Sequence, residues 1–295
     1  MEKQVPIDSS ARADTQKEDG VHELTNDVAY QRVMIVNVMY YGMPDLPEWV
    51  LIDAGLKGSG GTIERAAEKR FGKDNPPFAI ILTHGHSDHV GALLDLAEKW
   101  NSPIYAHPLE FPYLDGRSSY PPPDPGVSSG MMAKTSPMLG RGPIDVSRWL
   151  KALPLDGSIP GMPDWRWIHT PGHTPGHVSL WRTTDRTLIA GDAFVTTAQE
   201  SVYSVMTQRE ELHGPPQYFT TDWPAAKNSV RKLAELNPEI VVTGHGHALR
   251  GEKMRAALEL LARDFDRVAV PPKGRYVAES ARADESGVTY IPPDL

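Results

Sequence analysis

The fold of this chain is decided by one short stretch, Leu82-Thr83-His84-Gly85-His86-Ser87-Asp88-His89. An apolar run that predicts a buried strand precedes it, and an amphipathic stretch that predicts a helix follows it. His84 and His86 are two residues apart, so an extended strand end points both imidazole rings to the same side. Asp88 and His89 fall where the chain turns into the helix. This one segment can therefore supply ligands to two metal ions.

Three further candidate ligands occur downstream, each at a predicted strand end beside glycine: His173, Asp192 and His245. Glycine lets the backbone and solvent approach a metal centre closely. The chain has no cysteine, so any metal must be held by imidazoles and carboxylates. Together the two sets make seven ligands, which a His-rich solvated loop alone does not explain. The pattern indicates a metal site assembled from several strand ends.

Composition and charge narrow the function classes. The 295 residues carry 30 Lys and Arg against 38 Asp and Glu, a formal charge of −8. Nucleic-acid affinity rests largely on clustered cations, so no nucleic-acid partner is expected. A hydrophobic content of 40% argues against disorder throughout the chain. No stretch approaches the length of a membrane span and no secretory signal is visible, so we expect a soluble cytoplasmic protein without a membrane partner.

Three parts are predicted along the chain: a flexible tail at residues 1–20, a single α/β domain at 21–270 and an extension at 271–295. The tail is rich in Ser, Asp, Glu, Lys and Gln. Two long irregular inserts interrupt the domain, at about 107–162 and 194–223. Connections of this length are typical of the walls or lids of a site, so both are expected to wall the metal cleft.

Strands and helices alternate between these inserts. Residues 28–41 and 48–52 are predicted as two antiparallel strands. The other predicted strands are residues 78–83, 103–106, 165–169, 177–182, 187–190 and 240–243. The predicted helices are residues 62–70, 90–100, 224–236 and 252–265.

Residues from about 28 to 265 resemble the metallo-β-lactamase-fold hydrolase superfamily. The resemblance lies in the histidine-rich stretch at 82–89 and in the segments 170–177, 188–192 and 241–247, which occur in the family's order and at strand ends. It implies an α/β fold of a particular kind, a four-layer αβ/βα sandwich with the metal site at the sheet edges between its two halves. The branch it suggests is that of lactonases and glyoxalase II-like thioesterases.

The same resemblance implies a role for each ligand: one metal at His84, His86 and His173, a second at Asp88, His89 and His245, and Asp192 as the bridge. Asp53 resembles the family's strand-end aspartate that supports the ligands through hydrogen bonds, although its place before Ala-Gly also suits a turn. Two divalent metal ions are expected. Zinc is the expected metal, with iron and manganese as alternatives.

These residues predict a dinuclear hydrolase in which a metal-bridging hydroxide attacks the carbonyl of a small ester or lactone. Asp88 and Asp192 are the candidate catalytic residues, and Asp88 could orient the nucleophile or accept its proton. A thioesterase or phosphodiesterase of the same superfamily is an alternative. So is an oxidoreductase like the persulfide dioxygenases, which use a single iron. A non-enzymatic binding module predicts damaged ligands, and all seven are intact.

The composition of the two inserts bears on the substrate. They contain Met, Tyr, Phe, Trp and Pro with few clustered cations, so a mainly apolar pocket for a neutral small molecule is expected. An anion site would form instead if four cationic side chains converged in space: Arg117, Lys134, Arg141 and Arg209. A homodimer is a further possibility.

The sequence leaves the roles of several residues near the motifs open. Quorum-quenching lactonases place a tyrosine three residues beyond the bridging aspartate, where this chain has Val195. Tyr203 or Tyr218 would have to take its place. His177 and His247 lie close to ligand motifs, yet the family pattern needs neither as a ligand.

Overall fold

The computed structural model describes residues 5–7, 9–13, 20–127, 140–197 and 211–293. Its strands are β1 (Val5–Pro6), β2 (Val21–Glu23), β3 (Val28–Val33), β4 (Val36–Tyr41), β5 (Val50–Ile52), β6 (Ala79–Ile81), β7 (Ile104–Ala106), β8 (Leu150–Ala152), β9 (Ser158–Ile159), β10 (Met162–His169), β11 (Val178–Arg182), β12 (Thr187–Gly191), β13 (Glu211–Leu212), β14 (Ile240–Thr243), β15 (Leu249–Arg250), β16 (Arg282–Asp284) and β17 (Gly287–Tyr290). Its α-helices are α1 (Gly60–Phe71), α2 (Leu93–Trp100), α3 (Phe111–Leu114), α4 (Trp223–Glu235), α5 (Gly251–Arg263), α6 (Phe265–Val268) and α7 (Arg275–Ala278). Short 3-10 helices lie at Ser9–Ala11, Pro108–Glu110 and Pro125–Val127.

Two mixed sheets form the centre of the fold. The first has the strand order β2-β3-β4-β5-β6-β7-β8 and the second has the order β15-β14-β12-β11-β10-β9. Strands β5 to β8 run parallel to one another, and β12 runs parallel to β14. Parallel strands end at the same edge of a sheet, so the loops that follow β5, β6, β12 and β14 are brought to common edges.

Helices cover the outer face of each sheet. In α1, Ile63, Ala67 and Phe71 are four residues apart and share one face, which packs in a single buried cluster with Leu51 and Ile80 of the first sheet. Helix α2 buries its apolar face in the same cluster. Helices α4 and α5 cover the second sheet in the same way.

A third cluster fills the space between the sheets. It joins Ile52 and Ile81 of the first sheet to Leu180 and Ile189 of the second. The order of layers is therefore helix, sheet, sheet, helix. The predicted four-layer αβ/βα sandwich is confirmed.

The stretch 28–41 departs from its prediction. It forms two strands, β3 and β4, with Val33 opposite Val36 and a turn at Met34 that has a φ of 60°. The prediction of one strand here is wrong, because positive φ at a hairpin turn is normally supplied by Asn or Gly, and Met34 carries no such signal.

The N-terminal segment also differs from the expected flexible tail at residues 5–7 and 9–13. Strand β1 pairs with β13, and Ala11 is buried in the cluster beneath α4 and α5. The rest of residues 1–20, apart from Gly20, lies outside the described residues. Packing of these short pieces depends on partners about 200 residues away along the chain, which composition does not reveal.

The segment from residue 271 onward packs against the first insert. Its strands β16 and β17 form a hairpin, and the hydroxyl of Tyr276 donates a hydrogen bond to the carbonyl of Pro122 at 2.6 Å. The insert 107–162 is itself partly regular, since β8 extends the first sheet beside β7 and β9 pairs with β10. No helix in the described part of the chain is both long and apolar enough to cross a membrane.

Candidate metal centre

The seven predicted ligands meet at the sheet edges. The loops after β6, β10, β12 and β14 carry them, and their ligand atoms fall into triads in which all atoms lie within 4.8 Å of one another. These triads are His84, His86 and His173, here called the first cluster; Asp88, His89 and His245, here called the second cluster; and His84, His89 and Asp192, which connects the two. Strand ends from both sheets thus bring together residues that are far apart in sequence.

The first cluster consists only of imidazoles. His86 Nδ1 lies 2.9 Å from His173 Nε2, and the ring of His84 stands edge-on to both. Burial lowers the pKa of His86 to about 4 and holds the pKa of His84 and His173 well below the usual value. Neutral imidazole is the form that donates a lone pair to a metal, so this cluster is ready to bind a cation.

The second cluster combines imidazoles with a carboxylate. His245 Nε2 lies 3.3 Å from Asp88 Oδ2, and His89 Nε2 lies 3.9 Å from the same oxygen. Burial opposes protonation of His245, but the carboxylates of Asp192 and Asp88 outweigh it and raise its pKa to about 10. The carboxylates therefore favour a positive charge at this position, which a metal cation would supply.

Asp192 lies between the two clusters. Its Oδ2 is 3.5 Å from His173 Nε2, 3.2 Å from His245 Nε2 and 3.6 Å from His89 Nε2. Gly244 leaves the necessary room, because a Cβ there would lie 2.1 Å from Asp192 Oδ1. One carboxylate is thus within reach of ligands from both clusters, as a bridge between two cations requires.

Several buried ligand atoms have no hydrogen-bond partner among the described residues: Nε2 of His84, Nε2 of His89 and Oδ1 of Asp192. Buried polar atoms are almost always satisfied, so unpaired ones need an explanation. A bound divalent cation would use these lone pairs. Imidazole and carboxylate are also the donors that zinc and other borderline metals accept. The residues present therefore fit a metal centre.

The outer nitrogens of the ligand rings are held by hydrogen bonds. Asp53 Oδ2 accepts from His89 Nδ1 at 2.8 Å, and the same carboxylate accepts the backbone N–H and the hydroxyl of Thr83. His245 Nδ1 donates to the carbonyl of Ile35 at 2.7 Å. Asp53 has a φ of 61°, which aspartate tolerates better than most residues. It thus occupies the supporting position that the resemblance implies.

His177 contacts Asp192 and belongs to none of the three triads. Its Nε2 accepts a hydrogen bond from the backbone N–H of Asp192 at 2.9 Å, and its Nδ1 lies 2.9 Å from Thr170 Oγ1. Burial lowers the pKa of His177 to about 3, which keeps the ring neutral. His247 instead lines a small cavity with His22 and Tyr30.

Both inserts contribute to the wall beside the first cluster. The rings of Tyr120 and Phe219 lie 4.5 Å and 4.7 Å from the ring of His86, and Phe219 packs with Tyr218 and Val127. The wall is aromatic and apolar at this point. Other parts of the inserts, such as β8 and β9, lie in the sheets instead.

The structure describes only some of the side chains that were candidates for an anion site or for an assisting phenol. Arg117 pairs with Asp115, and Arg141 donates to the backbone carbonyl of Tyr120. Lys134, Arg209 and Tyr203 lie outside the described residues. Two of the four cations are thus engaged by neighbours within the first insert.

Glu110 is a buried residue that the sequence reasoning missed. Its carboxylate accepts hydrogen bonds from Gly85, Tyr120, Thr174 and Gly176, which belong to three different segments. Locally it is only an acidic residue at the end of a 3-10 turn. No pattern in the sequence marks it, because its partners lie up to 66 residues away.

Comparison with known proteins shows which family this chain is similar to. The family profile described as the metallo-beta-lactamase superfamily matches residues 33–245. The probable metallo-hydrolase YflN of Bacillus subtilis is 48% identical over 244 residues, which are 82% of this chain and 90% of YflN. The hydroxyacylglutathione hydrolase GloC of Haemophilus influenzae is 26% identical over 203 residues, 66% of this chain and 80% of GloC.

A solved structure is similar in fold. The beta-lactamase domain protein from Burkholderia ambifaria aligns with a TM-score of 0.60 and 20% identity, covering 86% of this chain and 79% of that protein. At this level of identity the likeness concerns the fold alone.

Proposed function

Because this chain belongs to the metallo-beta-lactamase superfamily and is a metal-dependent hydrolase, we propose that it binds two zinc ions and hydrolyses esters or lactones of neutral small molecules. The observation that carries the two-metal proposal is the position of Asp192. Its Oδ2 lies between 3.2 and 3.6 Å from histidines of both clusters. A carboxylate can share its oxygens between two cations, so this placement supports a shared ligand.

The chemistry follows from the residues around that position. When bound, two divalent cations supply hydroxide at neutral pH and polarise the carbonyl that it attacks. Asp88 is the most open of the carboxylates here, with 20% of its side chain exposed against 2% for Asp192. Of these carboxylates it is therefore the one that solvent reaches most easily, so it can orient a water molecule or accept its proton. No serine or cysteine nucleophile is needed.

The wall beside His86 supports a neutral acyl substrate. Phe219 and Tyr120 offer ring surface to an acyl chain or a lactone ring. Arg117 and Arg141 are held by other groups, which argues against their use in binding a phosphate. The hydroxyl of Tyr120 is bound to Glu110 and Gly85, so it does not supply the assisting phenol that Val195 fails to provide.

A substrate panel tests the reaction. The zinc-loaded protein should be assayed with a neutral lactone, an aryl ester, a β-lactam and an aryl phosphodiester. We expect kcat/KM for the lactone or ester to exceed that for the phosphodiester by at least about tenfold, or about 1.4 kcal/mol in transition-state binding. His84→Ala should abolish turnover, whereas His107→Asn, a histidine substitution outside both clusters, should not. Efficient phosphodiester turnover with negligible acyl hydrolysis would contradict the proposal.

A thioesterase is the second candidate, favoured by the similarity to GloC. The same panel should include a hydroxyacylglutathione thioester and a neutral thioester of similar size. A strong preference for the glutathione thioester over both the neutral thioester and the lactone would favour this second candidate. Comparable rates for all neutral acyl compounds would favour the ester and lactone assignment.

Metal analysis tests the cofactor. The proposal expects about two zinc ions per chain after reconstitution, because two clusters of ligands share one bridge. A protein that holds one iron per chain and consumes a persulfide would instead be an oxidoreductase. Elemental analysis of the reconstituted protein and an oxygen-uptake assay with glutathione persulfide distinguish the two.

A further inference from the structure

We propose that Glu110 is a positioning residue that sets the spacing of the first cluster. It does so by linking the loop that carries His84 and His86 to the loop that carries His173. These loops follow β6 in the first sheet and β10 in the second, so the cluster exists only while the two sheets keep their distance. The inference rests on the two-metal part of the proposed function.

Two contacts of Glu110 are made by residues that lie next to ligands in sequence, Gly85 and Thr174. Oε2 accepts the backbone N–H of Gly85 at 2.9 Å, and Gly85 stands between His84 and His86. Oε1 accepts the hydroxyl of Thr174 at 2.8 Å and the backbone N–H of Gly176 at 2.7 Å. Thr174 is the residue after His173. One carboxylate therefore holds both ligand loops at a point next to a ligand.

The contacts of Glu110 explain one glycine in each of the two ligand loops, Gly85 and Gly176. A Cβ at Gly176 would lie 2.7 Å from Glu110 Cγ, and a Cβ at Gly85 would lie 2.6 Å from the hydroxyl of Tyr120, which also binds Glu110. Only a residue without a side chain lets the carboxylate reach the backbone at these points. These glycines make room for Glu110, in addition to any room they leave for a metal.

Four donors suit an ionised carboxylate. Glu110 is completely buried, and the four groups that face it, two backbone N–H groups and two hydroxyls, are all able to donate. An ionised carboxylate only accepts hydrogen bonds and has about four lone-pair sites. Glutamine at this position would turn an N–H₂ group toward donors, so Glu110→Gln changes the hydrogen bonding with little change in volume.

The second cluster has supports of its own. Its supports are Asp53, which holds the ring of His89, and the carbonyl of Ile35, which holds the ring of His245. None of the hydrogen bonds of Glu110 described above reaches Asp88, His89 or His245. Loss of Glu110 should therefore weaken metal binding at one cluster and spare the other, which a general loss of packing would not do.

Two single-cluster backgrounds test this selectivity. His245→Ala keeps the first cluster, and His173→Ala keeps the second. Zinc affinity of each is measured by competition with a chromophoric chelator, with and without Glu110→Gln. We expect Glu110→Gln to weaken zinc binding by about 10- to 100-fold in the His245→Ala background, the usual cost of losing a group that orients metal ligands. In the His173→Ala background the change should stay within about threefold, as for independent sites.

Thr174→Val supplies a milder test should Glu110→Gln fail to fold. It removes one of the four donors and keeps the carboxylate, so we expect a loss of about threefold to tenfold, again only in the His245→Ala background. Equal losses in both backgrounds, or no loss in either, would overturn the proposal. If the unmodified protein binds fewer than two zinc ions, the two-metal proposal fails, but the effect of Glu110→Gln on the first cluster is still decided in the His245→Ala background.

Discussion

The two clusters of the metal centre differ in charge and in the way the fold supports them. The first is made of three histidines whose pKa is lowered by burial. The second includes Asp88, and neighbouring carboxylates raise the pKa of its histidines. Asp53 supports the second cluster by bonding a ligand ring, whereas Glu110 bonds the backbone between ligands of the first. The carboxylate beside the second cluster thus orients a ligand ring, whereas the carboxylate beside the first cluster links two ligand loops.

The largest effect is expected where the two clusters meet. Asp192→Ala should lower zinc affinity at both clusters by more than about 100-fold, because removal of a ligand costs more than removal of a supporting group. Turnover should be lost with it. Elemental analysis after gel filtration measures the metal content, and the exposed aspartate variant Asp156→Asn is the matched control. Retention of two tightly bound zinc ions in Asp192→Ala would show that the residue is no bridge.

The next largest effect is expected for variants that remove a ligand from one cluster only. His173→Ala and His245→Ala should each reduce the zinc content from about two to about one per chain, since each removes a ligand of one cluster only. Titration with a chelator and parallel elemental analysis give the stoichiometry. If either variant released both ions at the same chelator concentration, the clusters would have to be treated as a single unit.

A smaller effect is expected from the support of the second cluster. In Asp53→Asn an amide replaces the carboxylate that accepts from His89 Nδ1, and asparagine tolerates the positive φ of this position. Zinc affinity should fall by about 10- to 100-fold in the His173→Ala background and little in the His245→Ala background. This is the mirror image of the result expected for Glu110→Gln. The same response in both backgrounds would mean that the two supports are not separate.

The smallest effect concerns the stability of the segment that carries Glu110. His107 caps the 3-10 helix Pro108–Glu110 through Nδ1, which accepts the N–H of Leu109, and its ring stacks on His169. Burial, followed by the nearby His169, lowers the pKa of His107 to about 4. The folded state therefore favours the neutral ring. This contribution to stability is complete above about pH 6.5 and is lost as the pH falls towards 4.

Urea unfolding at pH 7 and pH 5 measures this contribution. Between these values the unmodified protein should lose about 1 kcal/mol more than His107→Asn, a value kept small by solvent around this half-buried ring. Asparagine keeps an acceptor for the helix cap but does not titrate. Identical pH dependence in the two proteins would exclude His107 as a contributor.

Much of the site could be predicted because its chemistry is local in sequence. His84, His86, Asp88 and His89 lie within one turn of chain, and the spacing alone brings their side chains together. The residues missed are those whose role depends on distant contacts. Glu110 has no local signature, and its partners lie between 10 and 66 residues away. The hairpin turn at Met34 was missed for a local reason. Its positive φ normally indicates Asn or Gly, and the sequence has methionine there.

The sequence by itself determined the alternation of strands and helices, the strand ends at which the candidate ligands lie, and the set of seven side chains predicted to bind metal. Apolar periodicity and the two-residue spacing of histidines are properties of the sequence itself, so they can be recognised before the fold is known. Only the tertiary structure decided that Asp192 lies between two clusters and that its backbone N–H donates to His177. It also decided that Asp53 bonds the ring of His89, whereas Glu110 bonds the backbone of Gly85 and Gly176. These roles follow from distances of about 3 Å between residues that are tens of positions apart, and hydrogen bonds at that range depend on how the two sheets pack.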